Sequence, residues 1–422
     1  MTDSETLFSR DTLDEMRAAV HETVDRTPVT DIHTHVYAPA FGGLLLWGMD
    51  ELLTYHYLIA EVIRASRIEP AAFFAQSKRE QADFIWRTLF IERSPYSEAC
   101  RGVLTVLDRL GLDVASRDLA AYRDYFARKS VEDYINTVFE RTNLESVVMT
   151  NDPFDDAERP VWEAGAAMDK RFHAALRIDP ILNDWTGACA RLQGWGYNVD
   201  ERLSGTALAE VRRFLTDWLQ KTRALYMAVS LPQDFAYPEN SARARLIDEC
   251  IIPVAKEQHV PFAMMIGVKR AMNPALKLAG DGVAKSDAGA VERLCAAYPD
   301  AKFMVTMLAR ENQHELSIAA RKFPNLFLFG CWWFLNVPSL IEEMTRMRFE
   351  LLGTSVLPQH SDSRVLDQVL YKWSHSRAII ARVLADKYAD LLRTGWTLKQ
   401  SEIDRDVAGL LGGNFWDFLK QA

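Results

Sequence analysis

The stretch VTDIHTH at residues 29–35 decides how the rest of the chain is interpreted. It begins with β-branched residues, ends in two histidines and follows residues 11–26, whose apolar positions have helical spacing. Pro28 separates the two segments, because the residue before a proline disfavours the helical conformation. We therefore predict a strand over residues 29–35, with His33 and His35 at its C-terminal tip.

Seven later segments have the composition of strands, and helical patterns separate most of them. They cover residues 145–152, 173–179, 224–230, 261–267, 301–307, 325–330 and 349–356. Together with residues 29–35 they form the α/β pattern of a parallel (β/α)8 TIM barrel. A doubly wound open sheet is the alternative, but it usually has fewer strands, and no GxGxxG motif follows the first strand.

The region between the first two strands, residues 38–142, shows helical patterns and no Val/Ile-rich strand. We predict a helical insertion there, which we interpret as a lid. The other predicted regions are an N-terminal helix with the first strand (1–37), the remainder of the barrel (143–375) and a helical C-terminal extension (376–422). A barrel takes about 250 residues, so the insertion and the terminal helices account for most of the remaining length.

The composition excludes several classes of protein. The chain has 49 Lys and Arg against 58 Asp and Glu, a formal net charge of −9, so it lacks the basic excess that non-specific nucleic-acid binding needs. The longest uncharged run, residues 323–341, contains prolines and asparagines that argue against a membrane helix. Five dispersed cysteines and an acidic N-terminus predict a cytoplasmic location. We also expect a homo-oligomer.

The two histidines of the first predicted strand suggest a metal site. Residues i and i+2 of a strand point to the same face, so His33 and His35 would both project into the mouth of a barrel. An aspartate from another strand would complete a mixed nitrogen and oxygen site for a divalent metal, most suitably Zn²⁺, or Mn²⁺ or Fe²⁺. Two polar residues at a strand end that bind no metal are the alternative.

Several short segments resemble the uronate isomerases of the amidohydrolase superfamily, in the order in which that family has them. They are VTDIHTH (29–35), TYHYLIAEVIRASRI (54–68), TNDPFDD (150–156), ALRIDP (175–180), GCWWFLN (330–336) and SDSR (361–364). That family interconverts hexuronate aldoses and ketoses, such as glucuronate and fructuronate. The resemblance implies a metal-dependent isomerase that acts on a hexuronate of the glucuronate or galacturonate type, or on a related sugar acid.

The resemblance also implies roles for individual residues. His33, His35 and Asp362 match the metal ligands. Isomerisation moves a proton between C2 and C1 through a cis-enediol, and Asp362 would carry this proton if its neighbours tuned its pKa towards neutrality. Tyr57 and Arg364 would handle the hydroxyl proton, because an arginine beside a phenol favours the phenolate.

Four further residues would contact the substrate or support the site. Arg177 would bind the substrate carboxylate through two hydrogen bonds. One of Trp332 and Trp333 would stack on the sugar ring, although aromatic residues at a strand end are often core residues. His56 would orient Tyr57 or contact the substrate, with an ordinary surface histidine as the alternative.

Structural roles stay open for three of the implied residues. Asp362 precedes a helical stretch and would also suit a helix N-cap. Tyr57 lies in an apolar helical segment, where it would simply pack in a core. Arg177 has Asp179 and Asp152 as alternative ion-pair partners.

The chain departs from the family pattern at three places. Met265 stands where the family usually has a histidine in the fifth strand, and Leu231 stands in place of an Asp-His after the fourth. Asp234, three residues later, is then the candidate for binding the distal hydroxyls of the substrate. The link before SDSR is longer than expected, which predicts that Asp362 lies on a loop and makes His360 a candidate extra ligand or base.

Two other functions remain as alternatives. One is a metal-dependent hydrolase or lyase that acts on a sugar-acid derivative through a metal-activated water. The loss of the strand-five histidine at Met265 argues against a binuclear hydrolase. The other is a catalytically silent binding protein that keeps the barrel and the metal for structure. Lys269 and Arg270, after the fifth strand, would be extra cations for an anionic substrate or ordinary loop charges.

Overall fold

The computed structural model of the protein describes residues 6–421. The parallel strands of its main sheet are β1 (Val29–Thr34), β2 (Leu144–Asn151), β3 (Phe172–Arg177), β4 (Met227–Pro232), β5 (Phe262–Lys269), β6 (Phe303–Met307) and β7 (Leu326–Leu328), and the short strand Gly282–Val283 pairs antiparallel with β5. The parallel strands pair in chain order, from β1 to β7, to form one curled sheet. A parallel sheet needs a crossover between successive strands, and helices supply it here.

The α-helices alternate with these strands or lie outside the sheet. They are α1 (Leu13–Arg26), α2 (Met49–Leu53), α3 (His56–Ser66), α4 (Pro70–Phe74), α5 (Lys78–Ile85), α6 (Glu98–Arg109), α7 (Leu119–Ala127), α8 (Val131–Thr142), α9 (Arg159–Glu163), α10 (Asp179–Asn183), α11 (Trp185–Gly194), α12 (Ala207–Thr222), α13 (Ala242–Leu246), α14 (Ile252–Glu257), α15 (Ala288–Ala297), α16 (Gln313–Lys322), α17 (Pro338–Leu352), α18 (Gln368–Arg393), α19 (Gln400–Ala408) and α20 (Asn414–Lys420). Helices α2 to α8 therefore all lie between β1 and β2. None of the described helices combines the length and the low polarity that a membrane span requires.

An extended segment after α17, residues 356–363, runs between the two edges of the sheet. Leu357 exchanges backbone hydrogen bonds of 2.8 and 3.1 Å with the β7 edge. At the other edge, the Asp362 N–H donates to the carbonyl oxygen of His33 at 3.2 Å. Seven parallel strands with an eighth segment bonded to both edges are consistent with a (β/α)8 barrel.

The predicted eighth strand, residues 349–356, is wrong over nearly its whole length. Residues 349–352 are the last turn of α17, and the extended backbone begins only near Val356. The apolar residues there continue the buried face of a helix, since Ile341, Met344 and Phe349 are all buried. Gly353, with φ of 62°, then ends α17 in a backbone conformation that favours glycine. The seven other predicted strands are confirmed, with boundaries within three residues.

The core lies on both faces of the curled sheet. Strand residues such as Met149, Val229 and Val305 pack outward against the helices. A second cluster lies inside the curl, where Tyr226 and Phe415 belong to a group closed at one end by α20. The five cysteines are all buried and unpaired, as a set without disulfide spacing would be.

Candidate active site

A cavity opens at the C-terminal ends of the parallel strands. In a curled parallel sheet whose strands are connected by helices, side chains from several strand ends converge at this point. Among the residues that line it are His33, His35, Tyr55, His56, Thr150, Arg177, Asp179, Met265, Arg270, Leu278, Trp332, Trp333, Asp362 and Arg364. Most of the residues singled out in the sequence therefore meet in one place.

Two histidines and one aspartate at the base of this cavity form a compact group. Asp362 Oδ1 lies 3.8 Å from His33 Nε2 and 3.5 Å from His35 Nε2. One ligand atom from each of the three residues lies within 4.8 Å of the others. The period of two along β1 brings both imidazoles to the same face, and the bond between Asp362 and β1 brings the carboxylate beside them.

The other ring nitrogen of each histidine has a hydroxyl neighbour. His33 Nδ1 lies 3.2 Å from the Tyr226 hydroxyl, and His35 Nδ1 lies 2.7 Å from Thr150 Oγ1. Such outer contacts fix the rotation of metal-binding histidines and direct the opposite nitrogen towards the ion. Neither Tyr226 nor Thr150 was assigned a role from the sequence: Tyr226 belongs to no motif, and Thr150 only begins the TNDPFDD segment.

The three side chains fit a divalent metal ion. Asp362 Oδ1 is buried and has no hydrogen-bond partner among the described residues, which is costly for a carboxylate oxygen unless another group satisfies it. Burial, the largest cause, lowers the pKa of His33 well below its usual value, so the ring is the neutral base that a metal requires. Two imidazole nitrogens and one carboxylate oxygen, open to a cavity, are a typical donor set for a catalytic site.

Asp362 is ionised in this environment. Burial opposes its charge, but His35 and the other nearby histidines outweigh that effect and lower its pKa to about 2. The expectation that its neighbours tune the pKa towards neutrality is therefore wrong in direction. The alternative role as a helix N-cap is also wrong, because α18 begins only at Gln368. Asp362 has φ of 52°, a conformation uncommon outside glycine, which turns its side chain at the end of the extended segment.

The buried carboxylate of Asp31 holds the extended segment that carries Asp362 in place. Asp31 accepts a 3.0 Å hydrogen bond from the Ser361 N–H and a 2.8 Å bond from the Trp373 indole. Burial raises the pKa of Asp31 to about 6. Asp31 therefore ties β1 to the segment that carries Asp362 and to α18.

Three arginines line the cavity, and they differ in their partners. Arg177 binds both carboxylate oxygens of Asp179, at 2.9 and 3.0 Å, so the ion pair considered in the sequence analysis is present. Arg270 pairs with Asp281. Arg364 is exposed, and no carboxylate of the described part of the chain pairs with its guanidinium.

The aromatic wall of the cavity is larger than the sequence indicated. We expected one of Trp332 and Trp333 to face the site, but both line it. His56 also lines it, 5.6 Å from the Trp333 ring in an edge-on contact. Its Nε2 is buried without a hydrogen-bond partner among the described residues, and burial lowers the pKa of His56 to about 3.

Tyr57 lies further from the cavity than Tyr55. Tyr55 lines the cavity, whereas Tyr57 borders a small neighbouring void together with Tyr55 and Tyr371. The rings of Tyr55 and Tyr57 lie 4.9 Å apart and edge-on. Burial and the Asp362 charge raise the pKa of Tyr55, and Arg364 partly offsets this. The expected pairing of Arg364 with Tyr57 is therefore not seen, since Arg364 acts on Tyr55.

Other expected residues have mixed outcomes. Asp234 is exposed on the loop after β4 and is not among the residues that line the cavity, because the chain turns outward there. Met265 lines the cavity where the family has a histidine. His360 is buried beside the metal-ligand group, with its ring centre 5.3 Å from that of His33, but it does not belong to the three-ligand cluster. Lys269 is exposed.

Solved structures similar to this chain settle its family. The crystal structure of a uronate isomerase from Bacillus halodurans C-125 matches with 56% sequence identity and a TM-score of 0.96, and the match covers 99% of this chain and 98% of that one. The chain belongs to the uronate isomerase family. No protein-family profile matches the sequence, and no curated protein matches it significantly.

Two more distant members of the uronate isomerases share the fold. A uronate isomerase from Thermotoga maritima is 16% identical, with a TM-score of 0.76 and coverage of 99% of this chain and 100% of that one. A glucuronate isomerase from Caulobacter crescentus is 14% identical, with a TM-score of 0.77 and coverage of 100% and 96%. At these identities the matches show the fold alone. They agree with the curled parallel sheet described above.

Proposed function

We propose that the protein interconverts a hexuronate aldose and its ketose, of the glucuronate–fructuronate or galacturonate–tagaturonate type. The observation that carries the proposal is the full-length similarity, at 56% identity, to a uronate isomerase. The cavity supports it, because polar side chains, two tryptophan rings and three arginines line it together. Such a lining suits a sugar that carries a negative charge. The metal-dependent hydrolase remains a weaker alternative, since Met265 occupies the position of a histidine that such an enzyme would use.

We assign His33, His35 and Asp362 as the residues that would hold a divalent ion, most suitably Zn²⁺. When bound, such an ion supplies Lewis acidity that polarises a substrate oxygen. Asp362 would remove the proton from C2 and return it to C1 of the cis-enediol, so that the carboxylate is regenerated in each turnover. Its ionised state suits a base that must accept a proton first.

The remaining proton moves between the oxygens on C1 and C2. We assign this transfer to the adjacent phenols of Tyr55 and Tyr57, of which Tyr55 lines the cavity and lies near the Arg364 charge. Trp332 and Trp333 would bind the sugar ring, and His56 would hydrogen-bond a substrate hydroxyl through its unpartnered Nε2.

Arg177 would bind the substrate carboxylate through the guanidinium N–H groups that do not bind Asp179. Asp179 holds Arg177 through two bonds, which orients the fork in advance. Arg177 remains charged because Asp179, the largest cause, raises its pKa. Asp234 does not enter this assignment, since it is exposed outside the cavity.

We further propose that the eighth segment closes a complete (β/α)8 barrel and that helices α2 to α8 form a lid over its mouth. Tyr55 and His56, at the start of α3, are the lid residues that enter the cavity. A cytoplasmic location and a homo-oligomeric state stay predictions.

The decisive experiment follows hexuronates by NMR in D₂O. We expect glucuronate or galacturonate to convert to its ketose and to gain solvent deuterium at carbon to the extent that the proton on Asp362 exchanges. Glucose, which lacks the carboxylate, is the matched control substrate and should not convert. Unchanged hexuronates with the metal-supplemented protein would contradict the proposed function.

A further inference from the structure

Lys372 is a buried lysine on α18, close to the site. The residue is 4% exposed. Among the described residues, no carboxylate forms an ion pair with it and none accepts a hydrogen bond from its Nζ. Burying a charge without a partner lowers the stability of the folded protein. A lysine at such a position therefore suggests a functional role.

Two tyrosine rings surround the ammonium instead. Nζ lies 5.7 Å from the centre of the Tyr57 ring and 5.5 Å from that of Tyr371. Aromatic faces attract a cation, which makes the position tolerable without neutralising the charge. The ammonium of Lys372 therefore lies beside the ring of one of the two phenols assigned to proton transfer.

Other cations of the same helix show that this arrangement is unusual. Lys387 pairs with Glu350 at 2.7 Å and with Asp390 at 3.5 Å. Arg377, which is also buried, donates hydrogen bonds to backbone carbonyl oxygens. Among the described residues Lys372 has neither kind of partner. No ion pair and no hydrogen bond therefore explains why a lysine occupies this position on α18.

Tyr57 needs a cation if its hydroxyl is to carry negative charge. Burial, Tyr55, Asp362 and Tyr371 all raise its pKa. Arg364, the cation expected from the sequence, acts on Tyr55. Lys372 is the positive group that faces the Tyr57 ring.

We propose that Lys372 is a positioning residue of the isomerase, whose ammonium stabilises negative charge on the Tyr57 hydroxyl during transfer of the hydroxyl proton. This inference rests on the proposed function. The charged and titratable groups around Lys372 are Asp31 on β1, His56 and Tyr57 on α3, Glu98 on α6, His360 and Asp362 on the extended segment, and Tyr371 on α18.

The pH dependence follows from the state of this lysine. Burial is the largest cause and lowers the pKa of Lys372 to about 8, although the charges of Asp362, Glu98 and Asp31 oppose the shift. As the pH rises through that value, Lys372 loses its charge and the hydroxyl transfer slows. We therefore expect kcat of the wild-type protein to fall on the alkaline side, above about pH 8.

The test compares Lys372→Met, which fills similar volume without charge, with Lys372→Arg, which keeps the charge at high pH. We expect Lys372→Met to lower kcat at least 30-fold with KM changed less than threefold. Lys372→Arg should keep kcat within about fivefold and lose the alkaline fall near pH 8. Lys387→Met on the surface of the same helix is the matched control and should leave both parameters unchanged.

A double-mutant cycle with Tyr57→Phe separates this role from a structural one. If Lys372 acts through Tyr57, Lys372→Met should change kcat less than twofold in the Tyr57→Phe background. An equal 30-fold loss in both backgrounds would overturn the proposal. So would an unchanged alkaline fall in Lys372→Arg, which stays informative if the methionine variant does not fold.

Failure of this inference differs from failure of the proposed function. Wild-type protein that does not convert hexuronates contradicts the function and this role together. Wild-type protein that converts them, with a folded Lys372→Met variant equally active, contradicts the role of Lys372 alone.

Discussion

The backbone N–H of Asp362 donates a 3.2 Å hydrogen bond to the carbonyl oxygen of His33, so two proposed metal ligands lie on neighbouring backbone segments that are hydrogen-bonded to each other. The His35 N–H extends this pairing with a 2.7 Å bond to the carbonyl oxygen of Ser363. Backbone bonds on both sides of the ligands hold them in position, which is the preorganisation that a metal site needs. The site therefore depends on closure of the sheet as much as on the HxH motif.

The first prediction concerns metal content. His35→Ala removes one of three ligand atoms, and we expect bound metal to fall from about one ion per chain to less than a tenth of that. Elemental analysis after gel filtration measures it. His314→Ala changes an exposed histidine on α16 and should retain the metal. Equal metal in both variants would remove His35 from the ligand set.

The second prediction concerns the proposed base. Asp362→Asn should lower kcat about 10³-fold or more, because an amide cannot accept the C2 proton and general-base catalysis contributes about 10²–10⁴-fold. Steady-state rates on the active hexuronate measure this, alongside the metal content of the variant. Asp390→Asn, on the surface of α18, is the control. Near-normal turnover in a metal-loaded Asp362→Asn protein would exclude Asp362 as the base.

Local pattern was enough to predict much of the fold and two of the proposed metal ligands. The period of two in VTDIHTH places His33 and His35 on one face, whereas Asp362 came only from the resemblance of SDSR to the uronate isomerases. The predicted eighth strand was wrong over nearly its whole length, because an apolar run such as residues 349–352 fits a strand and the buried face of a helix equally well.

Contacts made only by tertiary packing could not be predicted. The chain places Tyr55 and Tyr57 two residues apart at the start of α3, and only the packing of α3 against the barrel decides which of them reaches the cavity. Lys372 carries no motif, and its position among two tyrosine rings depends on how α18 meets α3. Lys269 and Arg270 were both candidate cations, and only the course of the loop decides that Arg270 lines the cavity.

The third prediction concerns Gly330, which packs against His360. A Cβ at Gly330 would lie 1.7 Å from His360 Nδ1, and the residue has φ of 66°. Gly330→Ala should therefore combine backbone strain of about 1–3 kcal/mol with overpacking of about 1–3 kcal/mol.

Gly353→Ala is the matched control for this prediction. Gly353 has φ of 62°, but a Cβ there would meet no atom within 4 Å. We expect it to show the backbone strain alone, so Gly330→Ala should have the lower free energy of unfolding in denaturant titrations. Equal losses in the two variants would show that His360 moves aside without cost.

The fourth prediction concerns Glu158, a carboxylate buried beside Asn151 at the end of β2. It accepts hydrogen bonds from Asn151 at 2.7 Å and from Tyr37 at 2.9 Å. Burial is the largest cause and raises its pKa from 4.5 to about 7. The folded protein therefore binds this proton more tightly than the unfolded chain does, and the protein is destabilised as the pH rises from about 4.5 to above 7.

Glu158→Gln should remove this pH dependence, because the glutamine amide stays neutral and its oxygen still accepts from Asn151. A pKa change of this size corresponds to about 3 kcal/mol, so between pH 5 and pH 8 the variant should gain up to about that much stability relative to the wild-type protein. Denaturant titrations at the two pH values measure the difference. Glu22→Gln, on the exposed face of α1, should follow the wild-type protein at both. If Glu158→Gln also follows it, then Glu158 is already ionised at pH 5 in the folded protein, and its hydrogen bonds outweigh its burial.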